Sequence, residues 1–259
     1  MTQKKADTYQ FPAVTELLQV DSTNNYALSR IREGLAYHGM SIFAHEQLAG
    51  KGQRGKKWVT APGQNIHLSL VIAPKSLELA HLFALSALIA VETRLFLAGL
   101  APGAWFIKWP NDIYFQDRKA VGMLIENILG GQKWKWAVAG IGININQGCF
   151  PEELKQAVSL KQVTGKNYDC LVLARELAER IFKRLEAFEA DPERSVAIVL
   201  EQYNRFLFKR GEEMMFRDEE GRVFKAVVTR VSADGKLLLD GAPRPVYEYG
   251  ELSWRLDGK

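Results

Sequence analysis

Residues 50–58 read Gly-Lys-Gly-Gln-Arg-Gly-Lys-Lys-Trp and lie between two apolar segments. Glycines at 50, 52 and 55 let the backbone turn with positive φ and bring main-chain N–H groups close to a ligand. Four cations, Lys51, Arg54, Lys56 and Lys57, share the stretch. A loop of this kind suits negative charge, with phosphate the first candidate. A solvated surface loop fits the same residues. A Walker A loop does not, because no Ser or Thr follows a Lys where Mg²⁺ would need it.

The rest of the chain reads as ordered and globular. Its 259 residues allow one large domain with a small one, and 47% hydrophobic residues supply a core. A net charge of +4 does not demand a nucleic-acid partner. Cys149 and Cys170 lack CxxC spacing, so free thiols and a cytoplasmic location are expected. Residues 1–5 are not followed by an apolar leader. The longest apolar run, 79–91, is read as too short for a bilayer, so no membrane partner is expected.

Helices are expected over about 24–34, capped from 21–23, and over 77–97, 151–158, 169–190 and 192–208. Strands are expected at 40–44, 65–73, 105–108, 113–115, 120–128 and 134–145, the last two joined at Gly130-Gly131. From 213 the pattern changes to short alternating runs at 213–217, 223–231, 236–239 and 244–249. Gly221, Gly235 and Gly241 mark the turns of a small antiparallel β module.

A second unusual segment is Lys108-Trp109-Pro110-Asn111-Asp112. Proline stiffens this turn, which presents an amide and a carboxylate. Those groups suit a ligand with Mg²⁺, or equally a structural turn in which they bond their own backbone. Lys119 stands beside Gly122, either solvated or reaching inward to an anion. Glu126 lies in an apolar run and needs a partner. Gly140-Ile141-Gly142-Ile143-Asn144 reads as a strand that something approaches closely.

Taken in order, Ser-Thr-Asn, the basic glycine loop, Lys-Trp-Pro-Asn-Asp, Arg-Lys-x-x-Gly-x-Leu-Ile-Glu and Gly-Ile-Asn-Ile-Asn closely resemble the biotin–protein ligase family. The resemblance implies an α+β fold. Its catalytic domain, 1–208, would be like a class II aminoacyl-tRNA synthetase, and 209–259 would form a small SH3-like barrel. It implies biotin and ATP as substrates, Mg²⁺, a biotin carboxyl carrier protein or domain as partner, and a monomer or homodimer. Ser22, Thr23, Asn24 and Gln47 match positions around the ureido ring. Gly50, Lys51, Gly52 and Gln53 match the loop closing over biotin, with Gly122 also on the biotin side. Lys119 matches the lysine at the reacting carboxylate and phosphate, and Arg54 is expected to act with it. Arg54, Lys56, Trp58, Asn111, Asp112 and Asn144 match the ATP side, with Asp112 at the metal.

Two departures qualify the resemblance. Ser22 comes too early for the N-terminal DNA-binding domain of some members, so no DNA partner is expected. Gln53 stands where better-known members carry arginine, so either an adenylate is held less tightly or Lys51, Arg54 or Lys56 supplies the missing charge. A lipoate ligase and a nucleic-acid-binding module using the basic loop, Trp58 and the β module are the competing readings.

Overall fold

The computed structural model describes residues 14–255. The leader-free reading of residues 1–5 lies outside that range. The larger sheet has seven strands: β1 Val14–Val20, β2 Ser41–Gln47, β3 Asn65–Ile72, β4 Trp105–Lys108, β5 Asp112–Phe115, β6 Arg118–Gly130 and β7 Lys133–Asn144. Their spatial order is β1-β2-β3-β7-β6-β5-β4. Only β1 and β2 run parallel, and helix α1, Thr23–Arg32, makes that crossover. The other pairings are antiparallel.

Every position of β3 is buried, because both faces of the sheet are covered. Ile66, Leu68, Leu70 and Ile72 point into the main core. That core lies under α2, Leu82–Leu100, and α4, Cys170–Ala190, with Val199 and Tyr203 of α5, Pro192–Arg205. The alternate face is packed differently. There Ala27 of α1 meets Ile42, Val71 and Val138 in a second, smaller core. The remainder of that face carries Asn65, His67, Ser69, Gly140, Gly142 and Asn144, which are too small or too polar to build a helix-covered core.

The C-terminal sheet is antiparallel, with β8 Glu213–Asp218, β9 Val223–Val231, β10 Leu237–Asp240, β11 Val246–Tyr247 and β12 Leu252–Arg255 in the order β11-β10-β9-β8-β12. Its seat on the larger layer is specific. Trp109 Nε1 donates to Gly235 O at 2.8 Å, and Gly235 lies against the Phe83 ring at the start of α2.

Three local expectations need correction. No helix fills 151–158. One 3-10 turn, Glu152–Leu154, leads into extended backbone, because Lys119 N donates to Gln156 O and Val158 N to Lys119 O. The short helix α3 follows instead, Leu160–Thr164, with a Ser159–Gln162 capping box. Strand β11 is only two residues long. Finally, Leu79–Leu100 is long and apolar enough to cross a membrane by length and composition, unlike the shorter run judged from sequence. More than half of that stretch is buried inside the fold, where it packs as core.

Gly235 has φ +84, and a Cβ there would meet Phe83 at 2.6 Å. Gly235→Ala combines a left-handed backbone with overpacking, so it should lower unfolding free energy by about 2–4 kcal/mol. Urea denaturation followed by tryptophan fluorescence measures this. A loss below about 0.5 kcal/mol, within the range of ordinary surface substitutions, would mean the seat is loose.

Candidate active site

A cleft of about 730 Å³ opens on the half of the sheet that α1 does not cover. Its floor is a pair of glycines. Gly122 of β6 and Gly142 of β7 are register partners, and the Trp58 ring lies on both. A Cβ would meet that ring at 2.9 Å from Gly122 and at 2.5 Å from Gly142. Gly140 makes similar room for Asn24, whose Oδ1 a Cβ there would strike. The glycine spacing in β6 and β7 therefore permits close approach from above, as the strand pattern suggested.

One wall is a hydrogen-bonded polar chain. Ser22, Thr23 and Asn24 are buried at the start of α1. Ser22 is the N-cap, yet its side chain makes no cap hydrogen bond. The capping role falls to Gln47, whose Oε1 accepts from Thr23 N at 2.8 Å and Thr23 Oγ1 at 3.0 Å. Ser69 Oγ lies 2.8 Å from Thr23 Oγ1 and 2.6 Å from Asn24 Oδ1. Asn24 Nδ2 donates to Glu126 Oε2 at 2.8 Å, which supplies the partner that this carboxylate needed.

His67 and Ser69 were not singled out from sequence. Their signal was the polar alternation Asn65-x-His67-x-Ser69 in an otherwise apolar strand. His67 is buried. Its Nδ1 lies 3.0 Å from Ala44 O, a pure acceptor, so Nδ1 carries the proton and Nε2 accepts from Thr60 Oγ1 at 2.8 Å. That bond ties the exit of the basic loop to β3.

The loop itself is a tight reversal. Trp58 N donates to Gly50 O, Gly52 N to Lys56 O, and 53–55 make a 3-10 turn with Arg54 at φ 54. Lys51 Nζ donates to Asn25 Oδ1 at 2.5 Å. Arg54 does not face Lys119. Its Nη1 donates to Gly250 O at 2.9 Å, and Nη2 lies 3.7 Å from Glu219 Oε1, both in the C-terminal sheet region. Arg54 also lines the cleft, but among the described residues no contact with Lys119 accompanies these bonds. Lys56 and Lys57 line the cleft. Two buried atoms facing this loop, Gln53 Oε1 and Trp58 Nε1, have no partner among the described residues.

The opposite wall carries the charges. Lys119 Nζ and Asp112 Oδ2 are 2.6 Å apart. Asn111 Nδ2 bonds Met123 O and so staples β5 to β6. Asn144 Nδ2 reaches Lys119 O at 3.4 Å and Val158 O at 3.3 Å. Both amides thus spend their donors on backbone. The Trp109–Pro110 peptide is cis, and Tyr203 OH donates to Pro110 O at 2.8 Å. Lys108, which had no assigned role, also lines the cleft, and burial pushes its ammonium down to about 8. Tyr249, Gly250 and Trp254 complete the cleft from the C-terminal sheet region.

This arrangement juxtaposes a polar, glycine-floored pocket with a lysine–carboxylate pair under a cationic loop. It offers a neutral hydrogen-bonding end and an anion-binding end. Known proteins resemble this chain over most of its length. The family model described as "Biotin/lipoate A/B protein ligase family" matches residues 17–144. The bifunctional ligase/repressor BirA of Escherichia coli K12 is 33% identical over 248 residues, which is 94% of this chain and 74% of that protein. The biotin–[acetyl-CoA-carboxylase] ligase of Paracoccus denitrificans is 34% identical over 159 residues, 59% of this chain and 65% of that protein. The biotin protein ligase from Aquifex aeolicus in complex with biotin and ATP superposes with a TM-score of 0.77 at 29% identity, covering 95% of this chain and 99% of that one.

Burial lowers the His67 pKa below its usual 6.5. Below pH 6.5 the unfolded chain then binds more protons than the folded one. Stability present above that pH is lost as pH falls toward the folded pKa. His67→Gln should flatten the decline in melting temperature between pH 7.5 and 5.5. Part of the slope will persist, because burial lowers His38 in the same way. An unchanged slope would show that His67 does not drive it.

Proposed function

The chain belongs to the biotin–protein ligase family. On that premise we propose that it activates biotin as biotinyl-AMP with ATP, then passes the biotinyl group to a lysine of a biotin carboxyl carrier protein or domain. The observation that carries this reading is the Lys119–Asp112 pair standing between a buried polar pocket and the cationic loop. The same reading takes 1–208 as a class II synthetase-like catalytic domain and 209–259 as an SH3-like module. The separate antiparallel C-terminal sheet supports that division. The free thiols of Cys149 and Cys170 fit a cytoplasmic setting.

The reaction joins two anions. A carboxylate oxygen of biotin attacks the α-phosphorus of ATP, and pyrophosphate leaves. Lys119 offsets the repulsion and meets the charge that grows on the phosphoryl oxygens. Lys56 and Lys57 of the loop extend the same positive field. The ureido end would sit against Ser22, Thr23, Asn24 and Gln47, where Ser22 Oγ is not used as a helix cap. Trp58 and the loop shield the mixed anhydride from water until a lysine amine attacks it.

Among the described residues no group of three or more His, Cys, Asp or Glu side chains could hold a metal by themselves. Mg²⁺ usually takes one or two carboxylates together with substrate phosphates and water, so Asp112 fits as its protein ligand. When bound it would neutralise phosphate charge.

Biotin-dependent pyrophosphate–ATP exchange, without any acceptor, tests the first half-reaction. Exchange with lipoate and none with biotin would overturn the proposal. Lys119→Ala should reduce exchange on the order of 10²–10³-fold, by analogy with a lost oxyanion donor, while changing biotin affinity little. Exchange at the parent rate would remove Lys119 from the chemistry.

Gln53 supplies a neutral, unpartnered amide oxygen in the cationic loop, where the family resemblance implies an arginine. We expect Gln53→Arg to slow biotinyl-AMP dissociation and to reduce labelling of an unrelated protein. Equal leakage from both proteins would mean that Lys51 and Lys56 already close the loop.

A further inference from the structure

The polar wall of the cleft holds more oxygen contacts than its hydroxyl hydrogens can join. Gln47 is oriented by the main chain: Thr23 N donates to its Oε1 at 2.8 Å, which fixes that atom as the oxygen. Asn24 is oriented by Glu126. Its Nδ2 donates to Glu126 Oε2 at 2.8 Å and reaches Leu124 O at 3.3 Å. A carboxylate and a carbonyl only accept, so the amide oxygen of Asn24 points the other way, toward Ser69.

Three oxygen–oxygen contacts then remain: Ser69 Oγ lies 2.6 Å from Asn24 Oδ1 and 2.8 Å from Thr23 Oγ1, and Thr23 Oγ1 lies 3.0 Å from Gln47 Oε1. Only the hydroxyls of Ser69 and Thr23 carry a hydrogen. Ser69 gives its own to Asn24 Oδ1, which has none, and Thr23 can serve Ser69 or Gln47 but not both. The wall is therefore one donor short. Ser69 is fully buried, whereas Thr23, Asn24 and Gln47 line the cleft. A donor arriving from the cleft completes the network, and an acceptor arriving there adds to its repulsion.

The sheet places Glu126 to impose this polarity. Gly122, Leu124 and Glu126 alternate onto one face of β6, and Glu126 stands opposite Val138, where the small core under α1 begins. Gly140, opposite Leu124 on β7, leaves the space in which the Asn24 amide lies. We propose that Glu126 is a positioning residue that fixes the polarity of this wall through Asn24, so that the wall selects a ligand end bringing N–H donors. This rests on the biotin reading and deepens it. The cyclic urea of biotin brings two ring N–H groups, and the dithiolane of lipoate brings none. A ligand of similar size without the donor leaves buried acceptors unpaired, which is what rejects it.

The test is calorimetric binding to the full chain of biotin and of two cyclic carbamate analogues, in each of which one ureido N–H is replaced by a ring oxygen. The parent should bind at least one carbamate on the order of tenfold or more weaker than biotin. Glu126→Gln offers Asn24 either an oxygen or an NH₂, so the Asn24 amide can turn round and donate into the cleft. That variant should weaken biotin severalfold and bring the two affinities to within about threefold of each other. Glu126→Asp keeps an acceptor-only group and should recover part of the discrimination. A purely structural role would weaken all three ligands alike and leave their ratios unmoved. An unchanged ratio in Glu126→Gln would overturn the assignment, as would a parent that binds both carbamates as tightly as biotin. The side-chain amide resonances of Asn24 give a readout without ligand: one sharp pair in the parent, and a doubled or broadened pair in Glu126→Gln. An unaltered pair would also overturn it. Absence of biotin binding in the parent, with the Asn24 resonances still changed by Glu126→Gln, would instead reject the biotin reading and keep the polarity of the wall.

Discussion

The contact on which the site depends is that of the Trp58 ring with the backbone of Gly122 and Gly142. Helix α1 covers only one end of the second face of the seven-stranded sheet. The other end cannot be left as open apolar strand, and it carries no helix of its own. Glycine at two register-matched positions turns that surface into bare backbone, against which a flat ring can lie. Any side chain at either position would lift Trp58 and the loop that ends in it. The loop's cations, the polar wall and the Lys119–Asp112 pair would then no longer surround one volume.

The same geometry explains why the C-terminal sheet is more than an appendage. Arg54 reaches from the loop to Gly250 O, and Trp109 reaches from the Lys-Trp-Pro-Asn-Asp turn to Gly235 O. Both contacts end on backbone carbonyls beside glycines with positive φ, Gly250 at +103 and Gly235 at +84. A glycine leaves the carbonyl uncovered, so a long donor side chain can lie directly over the main chain. The two motifs that frame the cleft are therefore each tied to the second sheet, and loop position and sheet position are coupled through hydrogen bonds.

Much of this was legible in the chain because the signals are local. Glycine and charge spacing marked residues 50–58, and the period of the apolar positions marked α2, α4 and the β6–β7 hairpin. What was missed is non-local. Strand β1 has three exposed positions and pairs in parallel with β2 at the edge of the sheet, so its own alternation is weak. Residues 151–158 have a helical composition, but Lys119 claims their backbone from far along the chain. Gln47 could be placed near a ligand by resemblance, yet its use as the acceptor for the first turn of α1 depends on how β2 ends beside that helix. Trp254 belongs to a strand that the turn count did not separate, and its partner Lys108 lies in the other sheet.

Charge placement gives the last step. Asp112 sits between Lys108 and Lys119 in strand order but pairs with only one of them. A single carboxylate between two lysines leaves the group with a net positive charge, and burial makes that imbalance felt: desolvation pushes Lys108 down to about 8, Asp112 opposes the shift in part, and Lys119 and Lys56 add to it. Pairing both lysines with carboxylates would stabilise the ligand-free protein and remove the reason for an anion to enter. The cleft is instead left electrostatically incomplete at the end where a polyanion would bind, while at the other end Thr23, Asn24, Ser69 and Gln47 are joined by hydrogen bonds and the Glu126 carboxylate accepts from Asn24. A neutral ring and a charged tail would then be sorted to opposite ends by desolvation cost alone, before any specific contact is made.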